Sequence, residues 1–143
     1  MLPRDPQCAF CQIVAKKSPA SRVYEDELVT AFIPLNPFTP GHTLVIPNVH
    51  AQSVLELEDD TLMHMTKIAK TIAAAIKGSE FAAEGINLWL SDGEQAGQDV
   101  LHVHLHIVPR FEGDKFYVNF HSDHQNSDRQ KLDQMAQKIQ AHL

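Results

Sequence analysis

Three histidines at alternate positions are the residues of this sequence whose types and spacing point most directly to chemistry. They are His102, His104 and His106, each followed by an aliphatic residue. Side chains alternate across a β-strand, so the imidazoles should form a row at the surface, roughly 6.6 Å apart, with the aliphatic residues facing the core. Such a row could be an ordinary polar strand face, a catalytic metal site, or a set of acid–base and nucleophilic groups.

The loop before the histidines favours the last of these alternatives. It runs from Gly93 to Asp99 and includes Gly97 and Gln98. A glycine-containing loop can turn backbone N–H groups toward an anion, and the Gln98 amide adds a neutral donor. An anion-binding loop next to a nucleophile suits phosphoryl transfer better than it suits a bare metal site.

The rest of the chain must supply a scaffold that positions these groups. Alternating apolar patterns and turn residues predict five strands, over residues 22–25, 28–33, 42–47, 86–91 and 100–108, with Pro109 ending the last one. Helical periodicity predicts a short helix over 8–16, a long helix over 59–77 and a C-terminal helix that starts at a capping box of Ser127 and Gln130. The predicted fold class is α+β: an antiparallel sheet of about five strands with one long helix and a C-terminal helix.

Composition limits the class of protein. The 143 residues carry a formal net charge of −6, which argues against nonspecific nucleic-acid binding. The N-terminus lacks the apolar stretch of a signal peptide, and no apolar run reaches membrane-spanning length. We therefore expect a cytoplasmic protein with one domain over residues 1–143, and neither a nucleic-acid polymer nor a membrane as its partner.

The two cysteines form a Cys-x-x-Cys motif at Cys8 and Cys11. This spacing is typical of a metal site or a redox pair, and two small buried apolar residues would also fit. Without further residues the motif leaves these three interpretations open.

The histidine segment and its flanks form an extended motif. Residues 97–110 read Gly-Gln-x-Val-x-His-x-His-x-His-x-x-Pro-Arg, and residues 40–47 read Pro-Gly-His-Thr-Leu-Val-Ile-Pro and are followed by His50. Both stretches resemble the signature of the histidine triad (HIT) family, and Tyr24-Glu-Asp stands where the first hairpin of that family begins. The resemblance implies a HIT-like fold that dimerises into a continuous sheet, and a small-molecule nucleotide as substrate.

The resemblance also implies catalytic roles for four histidines. His104 matches the nucleophile that attacks the α-phosphorus and forms a nucleotidyl-histidine, which water then hydrolyses. The backbone carbonyl of His102 would hold the other ring nitrogen of that nucleophile. His106 and His42 match positions that contact phosphate oxygens or the leaving group.

Further positions match binding functions of the family. Gln98, Gly97 and Asp99 fall on the phosphate side, where glycine would permit close approach of the backbone. The positions that match the apolar nucleoside pocket, each equally suited to a core, are Phe10, Ile13, Phe32 and Leu35.

Family members that keep the Cys-x-x-Cys motif bind a structural zinc ion. The resemblance implies a closed ligand set of Cys8, Cys11, His50 and His102. A tetrahedral Cys₂His₂ site without an open position is suited to structure rather than to catalysis.

Three positions depart from the family pattern. Pro34 stands where the family usually has an Asp or Asn that holds the ribose hydroxyls. Ser91 replaces an amide side chain, and Asp99 replaces a Ser or Thr. Asp99 could repel a phosphate, or could engage a leaving-group amine or a water molecule.

The leading hypothesis is a nucleotidyl hydrolase or transferase that cleaves nucleoside phosphoramidates. The alternatives are a dinucleoside polyphosphate hydrolase, a nucleotide-binding module with little turnover, and a zinc-dependent hydrolase that uses the three histidines as ligands.

Overall fold

The computed structural model describes residues 4–118 and 128–143. Its five strands are β1 (Ser21–Glu25), β2 (Val29–Ile33), β3 (Thr43–Pro47), β4 (Gly85–Leu90) and β5 (Leu105–Arg110). Its helices are α1 (Ala9–Val14), α2 (Asp59–Lys77) and α3 (Arg129–Gln140). The strands form one antiparallel sheet in the order β1-β2-β3-β5-β4. The predicted α+β class, with a five-stranded sheet, one long helix and a C-terminal helix, is confirmed.

Helix α2 covers one face of the sheet. Its apolar side chains recur every three or four residues, and Met65, Ala69 and Ile72 are buried against Val45 and Ile107 from the central strands. Aspartates in its first turn and Lys77 in its last complement the helix dipole. The helix occupies the predicted residues 59–77, and no helix within the described parts of the chain has the length and hydropathy needed to cross a membrane.

The opposite face of the sheet carries a smaller apolar cluster under α1. Phe10 and Cys11 of this helix pack against Phe32, Leu44 and Ile46. The histidines belong to this face, because Val103 and Ile107, which alternate with them, lie in the core under α2.

The predicted strand over residues 100–108 is wrong at both ends. Regular pairing begins at Leu105, so His102 and His104 lie in an extended segment before β5, while Pro109 lies inside the strand. β3 pairs with β5 only as far as Ile107, and the Pro109 carbonyl, on the side where β3 has ended, accepts from the Thr39 hydroxyl at 2.7 Å. In an antiparallel strand the N–H and the carbonyl of one residue point to the same side. An N–H at position 109 would therefore also face the side where β3 has ended, so proline costs the sheet no hydrogen bond.

The start of α3 also differs from the prediction. Asp128 caps this helix and accepts from Lys131 N–H at 2.9 Å, whereas Ser127 of the predicted capping box lies outside the described residues. The carboxylate of Asp128 satisfies an N–H that the first turn leaves free.

Asp26 joins the β1–β2 turn to α2. Its carboxylate accepts from the N–H groups of Leu28 and Val29 and lies 2.6 Å from His64 Nε2 on α2. Partial burial alone would raise the pKa of Asp26, but the hydrogen bonds from His64, Val29 and Leu28 outweigh it and hold this pKa well below 3.8.

Replacing Asp26 with asparagine is expected to lower the free energy of unfolding at pH 7 by about 1–3 kcal/mol, because charge-assisted hydrogen bonds are lost. The folded pKa is lowered, so this stabilisation is present above about pH 4 and disappears as the pH falls through the folded value. Urea denaturation at pH 7 and pH 3 measures the difference. Glu27→Gln, at the exposed neighbouring position, is the control; equal losses in both variants would contradict the prediction.

Candidate active site and metal site

The segment before β5 holds the ring of His104 in one orientation. His104 Nδ1 lies 2.7 Å from the backbone carbonyl of His102. A carbonyl only accepts, so Nδ1 carries the proton and Nε2 keeps its lone pair in the neutral ring. The ring of Phe10 packs edge-on against His104, with centroids 5.4 Å apart, and restricts its rotation. The ring can therefore act as a nucleophile through Nε2.

His42 and His106 form a hydrogen-bonded pair beside His104. The N–H of Phe38 donates to His42 Nδ1 at 3.0 Å, so the proton of the neutral His42 is on Nε2. That nitrogen donates to His106 Nδ1 at 3.0 Å, which places the His106 proton on Nε2. Within residues 4–118 and 128–143 no group accepts from this His106 N–H, so it can donate to an anion.

The two rings of this pair are uncharged at neutral pH. Burial, and after it the neighbouring His104, lowers the pKa of both His42 and His106 to about 4. Two neutral imidazoles can offer N–H donors to a phosphate without the cost of burying two cations.

The predicted surface row of imidazoles is wrong in one respect, because all three rings are buried. His102, His104 and His106 are 0, 2 and 8% exposed. The segment is covered by α1 on one side and by aromatic rings on the other, so alternation placed the rings on a common face but not on the surface.

Four residues of different elements are positioned to bind a metal ion. The ligand atoms of Cys8, Cys11, His50 and His102 all lie within 4.8 Å of one another. Cys8 Sγ is 3.4 Å from His102 Nδ1, and Cys11 Sγ is 3.4 Å from His50 Nδ1. Neighbouring ligand atoms of a tetrahedral zinc site are about 3.5 Å apart, given the usual zinc–sulfur and zinc–nitrogen bond lengths. The donor set and its spacing therefore fit such an ion.

Two of the candidate metal ligands are further shaped by their surroundings. His102 Nε2 donates to the carbonyl of Pro47 at 2.9 Å, which leaves Nδ1 free for a metal. Burial raises the pKa of the Cys11 thiol, so a bound cation would favour the thiolate that burial disfavours. Since His102 also holds His104 through its carbonyl, one residue belongs to both sites.

The loop of the predicted phosphate-side residues is built differently from expectation. Gly97 has φ of +83°, and a Cβ there would meet nothing within 4 Å. The left-handed backbone favours glycine here, and the open space beside it is compatible with the predicted close approach of a phosphate. The Gln98 amide accepts from Gly93 N–H and donates to the Gln52 carbonyl, both at 2.8 Å, so it joins the loop to the chain after His50.

Asp99 lies at the solvent side of His104. Its Oδ1 is 3.4 Å from His104 Nε2, and its side chain is 82% exposed while that of His104 is 2% exposed. The Asp99 carboxylate therefore lies between His104 Nε2 and solvent.

An apolar cleft of about 750 Å³ lies on the α1 side of the sheet. Three of the predicted nucleoside-pocket residues, Ile13, Phe32 and Leu35, line it together with Pro34. Phe10 is not part of the lining; its ring packs edge-on against Phe32, with centroids 5.4 Å apart. Because Phe10 also contacts His104, one aromatic ring lies between the cleft residue Phe32 and the candidate nucleophile and touches both.

Two aromatic residues near the histidines were not predicted from the sequence. Phe38 stacks on His42 with ring centroids 4.5 Å apart, and Trp89 stacks on His106 at 5.2 Å. Trp89 is the β4 residue directly opposite His106, so correct pairing of the last two strands would have found it. Phe38 precedes His42 by four residues in an irregular loop and has no comparable signal.

Comparison with known proteins identifies the family. The HIT domain profile matches residues 15–113, which include the candidate nucleophile and all five strands. This chain belongs to the HIT family.

Solved structures of HIT proteins share the fold over nearly the whole chain. A HIT family protein from Bacillus anthracis has a TM-score of 0.88 and 39% identity, covering 98% of this chain and 99% of that protein. A zinc-bound histidine triad family protein from Mycobacterium smegmatis has a TM-score of 0.75 and 39% identity, covering 94% of this chain and 97% of that one.

One similar HIT protein carries a named activity. It is an adenylylsulfatase from Arabidopsis thaliana, 32% identical over 112 residues, which are 78% of this chain and 56% of that protein. The predicted family is thus confirmed by profile, sequence and structure.

Proposed function

We propose that this HIT protein is a nucleotidyl hydrolase or transferase that cleaves nucleoside phosphoramidates at the α-phosphorus through a nucleotidyl intermediate on His104. The observation that carries the proposal is the 2.7 Å contact between His104 Nδ1 and the His102 carbonyl. It directs the ring's lone pair to Nε2, the nitrogen beside the exposed Asp99. Imidazole with one nitrogen fixed as a donor is a competent nucleophile near neutral pH.

In the first step the Nε2 lone pair forms a bond to phosphorus and the phosphorus–nitrogen bond of the substrate breaks. The amine leaves with the bonding electrons and takes up a proton from solvent, which reaches this site on the side of Asp99. The His104 ring becomes cationic, and its Nδ1–H stays bonded to the His102 carbonyl. The free N–H of His106 can stabilise the charge on a phosphoryl oxygen.

In the second step water attacks the same phosphorus. The phosphorus–Nε2 bond breaks, its electron pair returns to the His104 ring, and the water proton passes to solvent. The products are a nucleoside monophosphate and the free enzyme; an acceptor other than water would make the reaction a transfer.

The ring orientations argue against the three histidines as ligands of one catalytic zinc ion. Both ring nitrogens of His102 already have partners, since Nδ1 faces Cys8 and Cys11 and Nε2 donates to the Pro47 carbonyl. His102 therefore has no nitrogen to share an ion with the Nε2 atoms of His104 and His106.

Binding of zinc and of a second chain completes the proposal. Cys8, Cys11, His50 and His102 would hold a structural zinc ion, which would fix α1 to the segment that carries His104. The cleft lined by Ile13, Phe32 and Leu35 would take the nucleoside base.

A homodimer is the last part of the proposal. β4 is an edge strand whose Leu88 is 47% exposed, and pairing of two β4 edges would join two sheets in a homodimer.

The test is to trap the intermediate on the intact protein. Adenosine 5′-phosphoramidate is mixed with the enzyme, the reaction is quenched at alkaline pH, where phosphoryl-histidine bonds survive, and the protein mass is measured. We expect one added nucleotidyl group and release of AMP. Binding of AMP without an adduct or turnover would support the binding module, and turnover restricted to dinucleoside polyphosphates would support the other hydrolase.

The proposal also predicts weak recognition of the sugar. Pro34 lines the cleft and has no side-chain acceptor for the ribose hydroxyls. Wild-type kcat/KM should therefore differ little between ribonucleoside and 2′-deoxyribonucleoside phosphoramidates. Pro34→Asp is expected to raise the ratio of ribo to deoxy kcat/KM about 10-fold or more, since hydrogen bonds to a charged group contribute about 1.5–3 kcal/mol. Pro34→Ala is the control, and a ratio unchanged by the aspartate would contradict this interpretation.

A further inference from the structure

We infer that Asp99 selects substrates by the charge of their leaving group, disfavouring anionic ones and favouring amines that carry a positive charge. This inference rests on the proposed function and specifies its substrate class. The carboxylate lies 3.4 Å from His104 Nε2, the atom assigned to attack phosphorus. A negative charge at that distance interacts electrostatically with the phosphoryl oxygens and with the leaving group on the phosphorus.

The position of the carboxylate brings it next to the reacting group. A phosphorus atom poised for attack lies about 3–3.5 Å from its nucleophile, which is the space that Asp99 Oδ1 now occupies. The Asp99 side chain must rotate when substrate enters, and its 82% exposure allows this. Its Cα stays in place, so the rotated carboxylate remains beside the phosphoryl group or the leaving group.

The other groups at the site do not offset this negative charge. His42 and His106 are neutral at pH 7, because burial lowers their pKa to about 4. No lysine or arginine of residues 4–118 and 128–143 pairs with the Asp99 carboxylate, whose nearest basic nitrogen is His104 Nε2. The Gln98 amide, the nearest polar neighbour along the chain, is bonded to Gly93 and Gln52.

Selection by charge follows from these surroundings. A departing sulfate or phosphate would place a growing negative charge near the Asp99 carboxylate, whereas an amine with a second, protonated amino group would place a positive charge there. Two unit charges about 5 Å apart at a solvent-exposed site change a rate or binding constant roughly 5- to 10-fold. The penalty on one charge and the gain on the other multiply, so the preference between oppositely charged leaving groups should be roughly 25- to 100-fold.

The experiment compares three adenosine conjugates: the phosphoramidate of a neutral alkylamine, the phosphoramidate of a diamine, and adenylyl sulfate. Values of kcat/KM are measured for the wild type and Asp99→Asn, which keeps the shape and removes the charge. We expect Asp99→Asn to raise kcat/KM for adenylyl sulfate and lower it for the diamine conjugate. The ratio of kcat/KM for adenylyl sulfate to kcat/KM for the diamine conjugate should rise roughly 10-fold or more. The change in kcat/KM for the neutral conjugate should lie between the other two changes.

Two controls test whether the effect comes from the charge of Asp99 itself rather than from its shape or from the net charge of the protein. Glu94→Gln removes a carboxylate from the exposed start of the same loop and should leave all three values unchanged. The wild-type preference should also weaken in 0.5 M salt, because exposed charges are screened; a purely structural role of Asp99 would not show this dependence.

The outcomes distinguish this inference from the proposed function. Wild-type turnover of the phosphoramidates with the same ratios in Asp99→Asn would overturn the role of Asp99 alone. Failure of the wild type to form an adduct or to turn over any conjugate would overturn the proposed function, and the inference with it.

Discussion

Replacing His104 with alanine is expected to lower kcat for adenosine phosphoramidate by roughly 10³-fold or more and to abolish the nucleotidyl adduct. The variant removes the nitrogen that forms the bond to phosphorus, and loss of a nucleophile is among the largest effects that one side chain can have. Steady-state AMP release and the mass of the quenched protein measure the two effects.

The control for this variant is His142→Ala, which makes the same change at an exposed position of the C-terminus. It should keep full activity and form the adduct. His104 is buried, so the thermal unfolding midpoint of each variant is measured as well, to distinguish lost chemistry from lost structure. A folded His104→Ala protein with wild-type turnover would rule out His104 as the nucleophile.

Removal of the metal is expected to lower the melting temperature by about 10 °C. An ion that binds only the folded chain, present at 1,000 times its Kd, contributes about 4 kcal/mol, and each kcal/mol shifts the midpoint by roughly 3 °C in a protein of this size. Thermal unfolding with and without a chelator measures this shift, and metal analysis should find one zinc ion per chain. The stabilisation arises because the four ligands join α1 to the segments around His50 and His102.

The double variant Cys8→Ser, Cys11→Ser provides the matched test. It should bind no zinc, melt below the wild type, and show no further change with chelator. Loss of zinc should also loosen the His104 ring, because the carbonyl that accepts from its Nδ1–H belongs to His102, one of the four candidate ligands. Its imidazole NMR signals should broaden or shift in the zinc-free protein. A wild type that contains no metal and melts at the same temperature with chelator would disprove the metal site.

Much of the fold could be predicted because the relevant signals are local. The apolar periodicity of residues 59–77 reports one buried helix face, and α2 has those bounds. Alternation placed Val103 and Ile107 in the core and the three histidines on the other face. The spacing of Cys8 and Cys11, read with the family resemblance, indicated the four residues that the structure brings within 4.8 Å of one another.

The limits of β5 could not be predicted from its own residues. The strand begins at Leu105 and continues through Pro109 because of where its neighbours β3 and β4 pair with it. For the same reason the sequence indicated neither the stacking of Trp89 on His106 nor the burial of all three imidazoles. These features depend on contacts between strands that are distant in sequence. The residue pattern of one strand describes that strand alone and does not show which strand it will pair with.

The sequence by itself determined which residues could do chemistry and which face of the chain carries them, since both depend on residue type and on the period of a strand or helix. Only the tertiary structure decided what each ring nitrogen does. The tautomer of His102 depends on a carbonyl 55 residues away, and that of His106 on His42, 64 residues away. Hydrogen bonds act over about 3 Å, so the role of an imidazole is set by atoms that come near it only when the chain has folded.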